Sequence, residues 1–139
     1  MYTIVEENVD VKLILEEVMT HDLLDYNEMY VPLQKWDELL YEFEYVNSLI
    51  NRFKLYHTRL IRLIPHQCYS YHRDSTPRIH FPVVTNNDCL FILEKEVFNM
   101  EKGKGYWVDT RKSHTALNGN KAQSNFNRWH IVGNTDEIF

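Results

Sequence analysis

Apolar residues change their spacing near residue 55, and the change divides the chain into a helical part and a strand part. In Val9-Asp10-Val11-Lys12-Leu13-Ile14-Leu15-Glu16-Glu17-Val18-Met19 the apolar positions recur at intervals of three and four, so one face of a short helix can dock on a core. A second helix is predicted from Pro32, which suits a first helical turn because its missing N–H would have no partner there. Its stripe is Leu33, Trp36, Leu39, Leu40, Phe43, Val46, Leu49, Ile50 and Phe53, with acidic residues between them. Both helices read as packing elements.

From Leu55 onward, short runs rich in Ile, Val, Tyr, Phe and Thr alternate with turn signals: Ser75-Thr76-Pro77, Asn86-Asn87-Asp88, Gly103-Lys104-Gly105 and Asn118-Gly119-Asn120. Strands are expected near 58–64, 67–74, 78–84, 89–94, 105–109, 113–117 and 126–133. Short strands in this number predict a mainly β sandwich or double-sheet jelly roll, with the two N-terminal helices covering the outside of one sheet. The expected organisation is one domain, 1–139, with helical support over about 1–54 and the β core over about 55–135.

Composition narrows the partners. A chain of 139 residues that is 44% hydrophobic is long enough for one core and too short for a second domain. A net charge of -5, without any Lys/Arg cluster, gives no footprint for nucleic acid. No apolar run reaches the roughly 20 residues that span a bilayer, so no membrane partner is expected. The N-terminal MYTIVEENVD has no export pattern, which points to the cytoplasm, of a host cell if the chain is phage-encoded. Cys68 and Cys89, with no CxxC motif and no export signal, read as reduced thiols. Nothing in the composition sets the oligomeric state.

Polar residues fall on particular strand faces that a packed core would not tolerate. Along an extended 67–74 segment, Ser70, His72 and Asp74 point to one side, so His-x-Asp offers an imidazole and a carboxylate to one metal ion. His114 is the third candidate ligand, far enough along the chain for several strands to run out and back. Two histidines and one carboxylate leave coordination positions open, the arrangement of non-haem iron(II) oxygenases. Zinc accepts the same ligands with a water and would make a hydrolase or lyase.

Arg78 and His80 share one face of the 78–84 strand, and Ile79, Phe81 and Val83 share the other. Arg128 and His130 alternate in the same way with Trp129 and Ile131. A buried guanidinium without a partner is expensive, so an inward Arg78 or Arg128 calls for an anion. Asp109 is the internal candidate; a dicarboxylic cosubstrate, gripped by bidentate charge-assisted bonds, is the external one.

Four blocks carry a resemblance to a known family: Tyr69-Ser70-Tyr71-His72-Arg73-Asp74, Pro77-Arg78-Ile79-His80-Phe81-Pro82, Trp107-Val108-Asp109-Thr110-Arg111-Lys112-Ser113-His114-Thr115, and Arg128-Trp129-His130-Ile131-Val132. They resemble the aspartyl/asparaginyl β-hydroxylase branch of the Fe(II)/2-oxoglutarate-dependent dioxygenases, especially its small phage and bacterial members, over about 58–133. The resemblance implies a double-stranded β-helix, the cupin-like jelly roll, with Fe(II), 2-oxoglutarate and O2 as cofactors. It implies His72, Asp74 and His114 as the metal ligands, with no catalytic residue beyond the metal centre. Arg128 then grips the distal carboxylate of 2-oxoglutarate and His80 sits near its chelating end. Arg78, and less directly Arg62, serve the cosubstrate or substrate side.

Asp109 matches an acidic position where turn stabilisation explains it as well as a direct role. The best-known animal members lack the metal-binding carboxylate that Asp74 provides here, so their substrate does not transfer automatically. The implied substrate is an amino-acid residue, Asp/Asn or Pro, in a peptide or protein, or a free amino acid. Two rival classes share the barrel: a metal-dependent cupin isomerase or lyase, and a non-catalytic anion-binding cupin. Neither requires a complete triad followed by Arg128.

Overall fold

Period-two alternation sets the architecture, because each central strand has one apolar side and one polar side that need different neighbours. The computed structural model describes residues 2–25, 29–120 and 127–139. Its strands are β1 (Tyr2–Glu6), β2 (Tyr30–Pro32), β3 (Gln34–Lys35), β4 (Glu38–Leu39), β5 (Tyr56–Leu63), β6 (Gln67–Cys68), β7 (Arg78–Val84), β8 (Cys89–Leu93), β9 (Glu96–Phe98), β10 (Gly105–Val108), β11 (His114–Asn118) and β12 (Arg128–Asn134). Helices α1 (Val11–Thr20) and α2 (Glu44–Arg52) precede β5. An antiparallel six-stranded sheet runs β1-β10-β7-β12-β5-β2, and a four-stranded sheet runs β6-β11-β8-β9. The fold is the predicted jelly roll.

The larger sheet has a core on each side. On one side Ile79, Phe81 and Val83 of β7, Trp129 and Ile131 of β12 and Leu60 of β5 meet Ile14 and Val18 of α1 and Val46, Leu49 and Ile50 of α2. Each such side chain contributes about 1.5–3 kcal/mol by leaving water. On the other side Leu63, Tyr106 and Val108 face Phe91, Leu93 and Ala116 of the smaller sheet. The helices therefore cover the outside of one sheet, as expected.

Local chemistry anchors those helices. The Asp10 carboxylate accepts the Leu13 N–H at 3.1 Å and caps α1. The Phe43 side chain gives α2 no such cap, and Glu17 of α1 accepts the Tyr45 and Val46 N–H groups at 2.8 and 2.9 Å. One carboxylate thus satisfies two end donors, complements the helix dipole and ties α2 to α1. Gly133 is required by close approach: a Cβ there would lie 2.8 Å from Leu55 Cδ1 and Thr58 Oγ1.

The single helix expected over 32–53 is corrected. Only Glu44–Arg52 is helical. Tyr30–Pro32 is an edge strand on β5, and Gln34–Lys35 and Glu38–Leu39 form a hairpin turning at Trp36, whose φ is +61°. Pro32 fits an outermost strand as well as a helix start, since either position tolerates the missing N–H. Strands β1 and β2 show that the region expected to be helical support also extends the larger sheet. The strand expected over 67–74 shrinks to Gln67–Cys68 plus a bridge from His72 to His114. Residue 126, where the last strand was expected to begin, lies outside the described residues, and β12 starts at Arg128. Cys68 and Cys89 are free thiols, one exposed and one buried. No helix among the described residues is long and apolar enough to cross a membrane.

Candidate metal centre

The gap between the sheets is lined by alternate residues of the central strands. Arg59 and Ile61 of β5, Arg78 and His80 of β7, and Arg128 and Val132 of β12 face Phe91 of β8 and His114 and Ala116 of β11 across a cavity of about 240 Å³. Tyr69, His72 and Thr110 also contribute to its wall.

His72, Asp74 and His114 meet there, with one ligand atom from each within 4.8 Å of the others. Backbone pairing brings them together: the His72 N–H donates to His114 O at 3.0 Å, the His114 N–H to His72 O at 2.9 Å, and the Asp74 N–H to Thr110 O at 2.8 Å. The imidazoles are oriented from behind. His72 Nδ1 lies 2.6 Å from Ser70 O, and His114 Nδ1 lies 2.8 Å from Lys112 O. A carbonyl only accepts, so each neutral ring carries its proton on Nδ1 and presents a lone pair at Nε2.

Those lone pairs face Asp74. His72 Nε2 is 3.4 Å from Asp74 Oδ1 and His114 Nε2 is 3.1 Å from Asp74 Oδ2. Asp74 Oδ2 is buried and makes no well-aligned hydrogen bond among the described residues, its 3.1 Å contact with Arg78 Nη1 being an ion pair. Three acceptors converging without a proton between them fit a cation, and carbonyls behind both imidazoles are the usual supports of histidine ligands. Burial pushes the Asp74 carboxyl pKa up, but neighbouring positive charge, the Arg78 guanidinium included, outweighs it and holds the group lowered, hence ionised.

Among the cations, Arg78 Nη1 lies 3.1 Å from Asp74 Oδ2, so the internal acid for Arg78 is Asp74 and not Asp109. Asp109 instead binds Arg111 at 2.7 and 3.1 Å and stabilises the turn before β11. Arg128 is buried, and its Nη2 donates to His130 Nδ1 at 2.9 Å. Burial draws its pKa down to about 10, which leaves it charged at neutral pH. His80 is buried against Phe91 and His130; burial, then Arg128, Arg78, Arg59 and His114, hold its pKa well below the ordinary imidazole value.

Arg62 takes a different side of the larger sheet from the other candidate arginines. It has the parity of Leu60 and pairs across the sheet with Trp129, so it belongs to the helix-facing side. Arg59, which the sequence reading missed, takes the cavity place. Its Nη1 donates to His57 O at 2.8 Å and Asn134 Oδ1 at 2.9 Å, and burial, reinforced by Arg78, lowers its pKa to about 10. The signal that could have found it is that Arg59, Ile61 and Leu63 alternate together.

Fold and cluster together define a cupin-type jelly roll whose cavity is fitted for a metal held by two histidines and a carboxylate. The model of the aspartyl/asparaginyl β-hydroxylase family matches residues 23–126, and the chain belongs to that family. Membership places it among the hydroxylase enzymes. The match ends before Arg128, whose position rests on the structure alone.

No curated protein matches the chain in sequence. Solved structures share the fold at low identity. A cupin-2 domain protein from Shewanella frigidimarina superposes with a TM-score of 0.53 at 8% identity, over 84% of this chain and 91% of the other. An oxidoreductase of the 2OG-Fe(II) oxygenase family from Burkholderia pseudomallei gives 0.53 at 12% identity, over 76% and 62%. A non-heme monooxygenase, the ThoJ–Ni complex, gives 0.59 at 9% identity, over 95% and 71%.

Proposed function

We propose that the protein is an Fe(II)- and 2-oxoglutarate-dependent dioxygenase that hydroxylates an amino-acid residue, with His72, Asp74 and His114 as the iron ligands. The observation that carries this reading is the convergence of two imidazole lone pairs and a carboxylate in a cavity that also contains the buried Arg128 guanidinium. Bound there, iron would supply the activation of oxygen for C–H oxidation, chemistry that no side chain provides. The chain's own residues position and neutralise. Arg128 supplies the fork for the distal carboxylate of 2-oxoglutarate, and Arg78 and His80 border its other end.

Charge on the cavity wall bears on the substrate. Three guanidiniums, Arg59, Arg78 and Arg128, face one carboxylate, Asp74. A divalent metal and a dianionic cosubstrate cancel each other and leave that excess of positive charge in place. Among the residues the family suggests, it favours a carboxylate-bearing aspartyl side chain over Asn or Pro, as part of a peptide or protein or as the free amino acid. Neither nucleic acid nor a membrane is needed, and the free thiols of Cys68 and Cys89 suit the cytoplasm.

Anaerobic titration of the purified chain with Fe(II) and then 2-oxoglutarate tests the reading. A visible charge-transfer band that requires both additions is the expected result, with succinate released once oxygen is admitted. Metal binding without any response to 2-oxoglutarate would overturn it in favour of a cupin isomerase or lyase. Binding of small anions without a bound metal would leave an anion-binding module.

A further inference from the structure

Behind Arg128 is a residue that the reading above leaves without work. His130 is buried, lies two positions along β12 from Arg128 on the same face, and sits beside His80 of the neighbouring strand. Its Nδ1 is 2.9 Å from Arg128 Nη2 and 3.3 Å from His80 Nδ1. A guanidinium has donors and no acceptor, so His130 Nδ1 accepts from Arg128 and its own proton is on Nε2. His80 Nδ1, facing the same lone pair, then carries a proton and donates it, and His80 Nε2 is left as a lone pair. One acceptor atom therefore fixes two things: where the Arg128 fork points and which tautomer His80 adopts.

We propose that His130 is a positioning residue whose Nδ1 fixes both the direction of the Arg128 fork and the tautomer of the His80 ring. Two features make the lock specific. The three side chains are buried together, where a hydrogen bond left unmade costs more than at the surface. Arg128 also has no ion-pair partner among the described residues, so its bond to His130 Nδ1 is the restraint the structure records for its guanidinium before an anion arrives. A leucine at 130 would fill similar space without an acceptor, whereas a glutamine would offer a carbonyl oxygen to Arg128.

This inference rests on Arg128 as the cosubstrate arginine, and its test separates the two claims. In the 15N-labelled, zinc-loaded full chain, long-range 1H–15N spectra should show His130 protonated at Nε2 and His80 protonated at Nδ1. A His130 protonated at Nδ1 overturns the proposal. In parallel, 2-oxoglutarate affinity is measured by calorimetry on the iron-loaded chain under anaerobic conditions, with iron affinity as the control. His130→Leu should weaken 2-oxoglutarate by at least about tenfold, the scale of one lost charge-assisted hydrogen bond, with iron affinity unchanged. His130→Gln should recover most of that loss.

Equal weakening by Leu and Gln in folded protein would make His130 a packing residue only and overturn the proposal. If His130→Leu does not fold, the tautomers and the Gln variant decide. Should the wild-type chain show the stated tautomers and not bind 2-oxoglutarate, the cosubstrate reading fails while the coupling of the three side chains stands.

Discussion

The two faces of the six-stranded sheet are built from alternate residues of the same strands and have opposite energetics. Facing the helices, Leu60, Ile79, Phe81 and Ile131 are at most 1% exposed and carry no polar atom beyond the backbone. Facing the cavity, Arg59, Arg78, His80 and Arg128, with His130 behind them, take intervening positions among Ile61, Leu63 and Val132, so this face carries charged and hydrogen-bonding groups that need partners. The first face stabilises by leaving water; the second costs solvation that a ligand can return. Stability and chemistry are therefore separable by residue parity, and substitutions on the two faces should fail in different ways.

The largest effect is expected on the helix face. Phe81 is fully buried beside Phe53, so Phe81→Ala should lower unfolding free energy by about 3–5 kcal/mol in denaturant titration. Metal affinity of the molecules that remain folded should be unchanged. A loss of metal affinity without a loss of stability would show that the faces are not independent.

Next comes the metal site itself. His72→Ala should reduce affinity for iron by more than the 10–100-fold that removal of an outer-shell partner costs, measured by anaerobic titration. Its side chain is 39% exposed, so stability of the metal-free chain should shift by less than about 1 kcal/mol. Large destabilisation with metal affinity intact would mean that His72 is structural.

How much of this contrast could be read in the sequence follows from where each residue's neighbours lie. In 78–84 and 128–132, apolar and polar residues alternate without a break, so both faces were legible, and so were His72, Asp74 and His114 as one cluster. The cluster forms for a different reason than the expected strand: His72 is aligned by pairing with His114, and Asp74 by Thr110 O, contacts some 40 residues away that period two cannot show. Strand β5 was ambiguous because both of its parities hold apolar residues: Leu60 on one, Ile61 and Leu63 on the other. Over 30–40, Leu33, Trp36, Leu39 and Leu40 mimic a helical stripe, and the turn at Trp36 needs a positive φ that nothing in its side chain announces.

A pH effect of intermediate size sharpens the comparison. Burial first, and then neighbouring positive groups, hold His80 and His130 well below their ordinary pKa, so the folded chain keeps both neutral. In the unfolded chain they take up protons below about pH 6.5, which favours unfolding there. The stability is thus complete above that pH and falls as pH drops, by about 1.4 kcal/mol per histidine for each further unit. Denaturation midpoints between pH 7.5 and 5.5 should show this slope, and His130→Gln should remove about half of it. A flat profile would mean that one or both rings are already charged in the fold.

The smallest expected effect tests the parity rule most directly, because it is a near-absence on a residue of the same charged type. Arg62 is three positions from Arg59 on β5, and the register that pairs it with Trp129 turns it toward the helices. Arg62→Gln should therefore change 2-oxoglutarate affinity by less than about twofold, whatever its effect on stability, since its side chain has the helix-facing parity of Leu60. Arg128→Gln should weaken the same affinity by more than about tenfold, as expected for a buried guanidinium that loses a charged partner. If Arg62→Gln instead matched Arg128→Gln in well-folded protein, the side chain would have to reach the cavity, and the assignment of faces on β5 would be reversed.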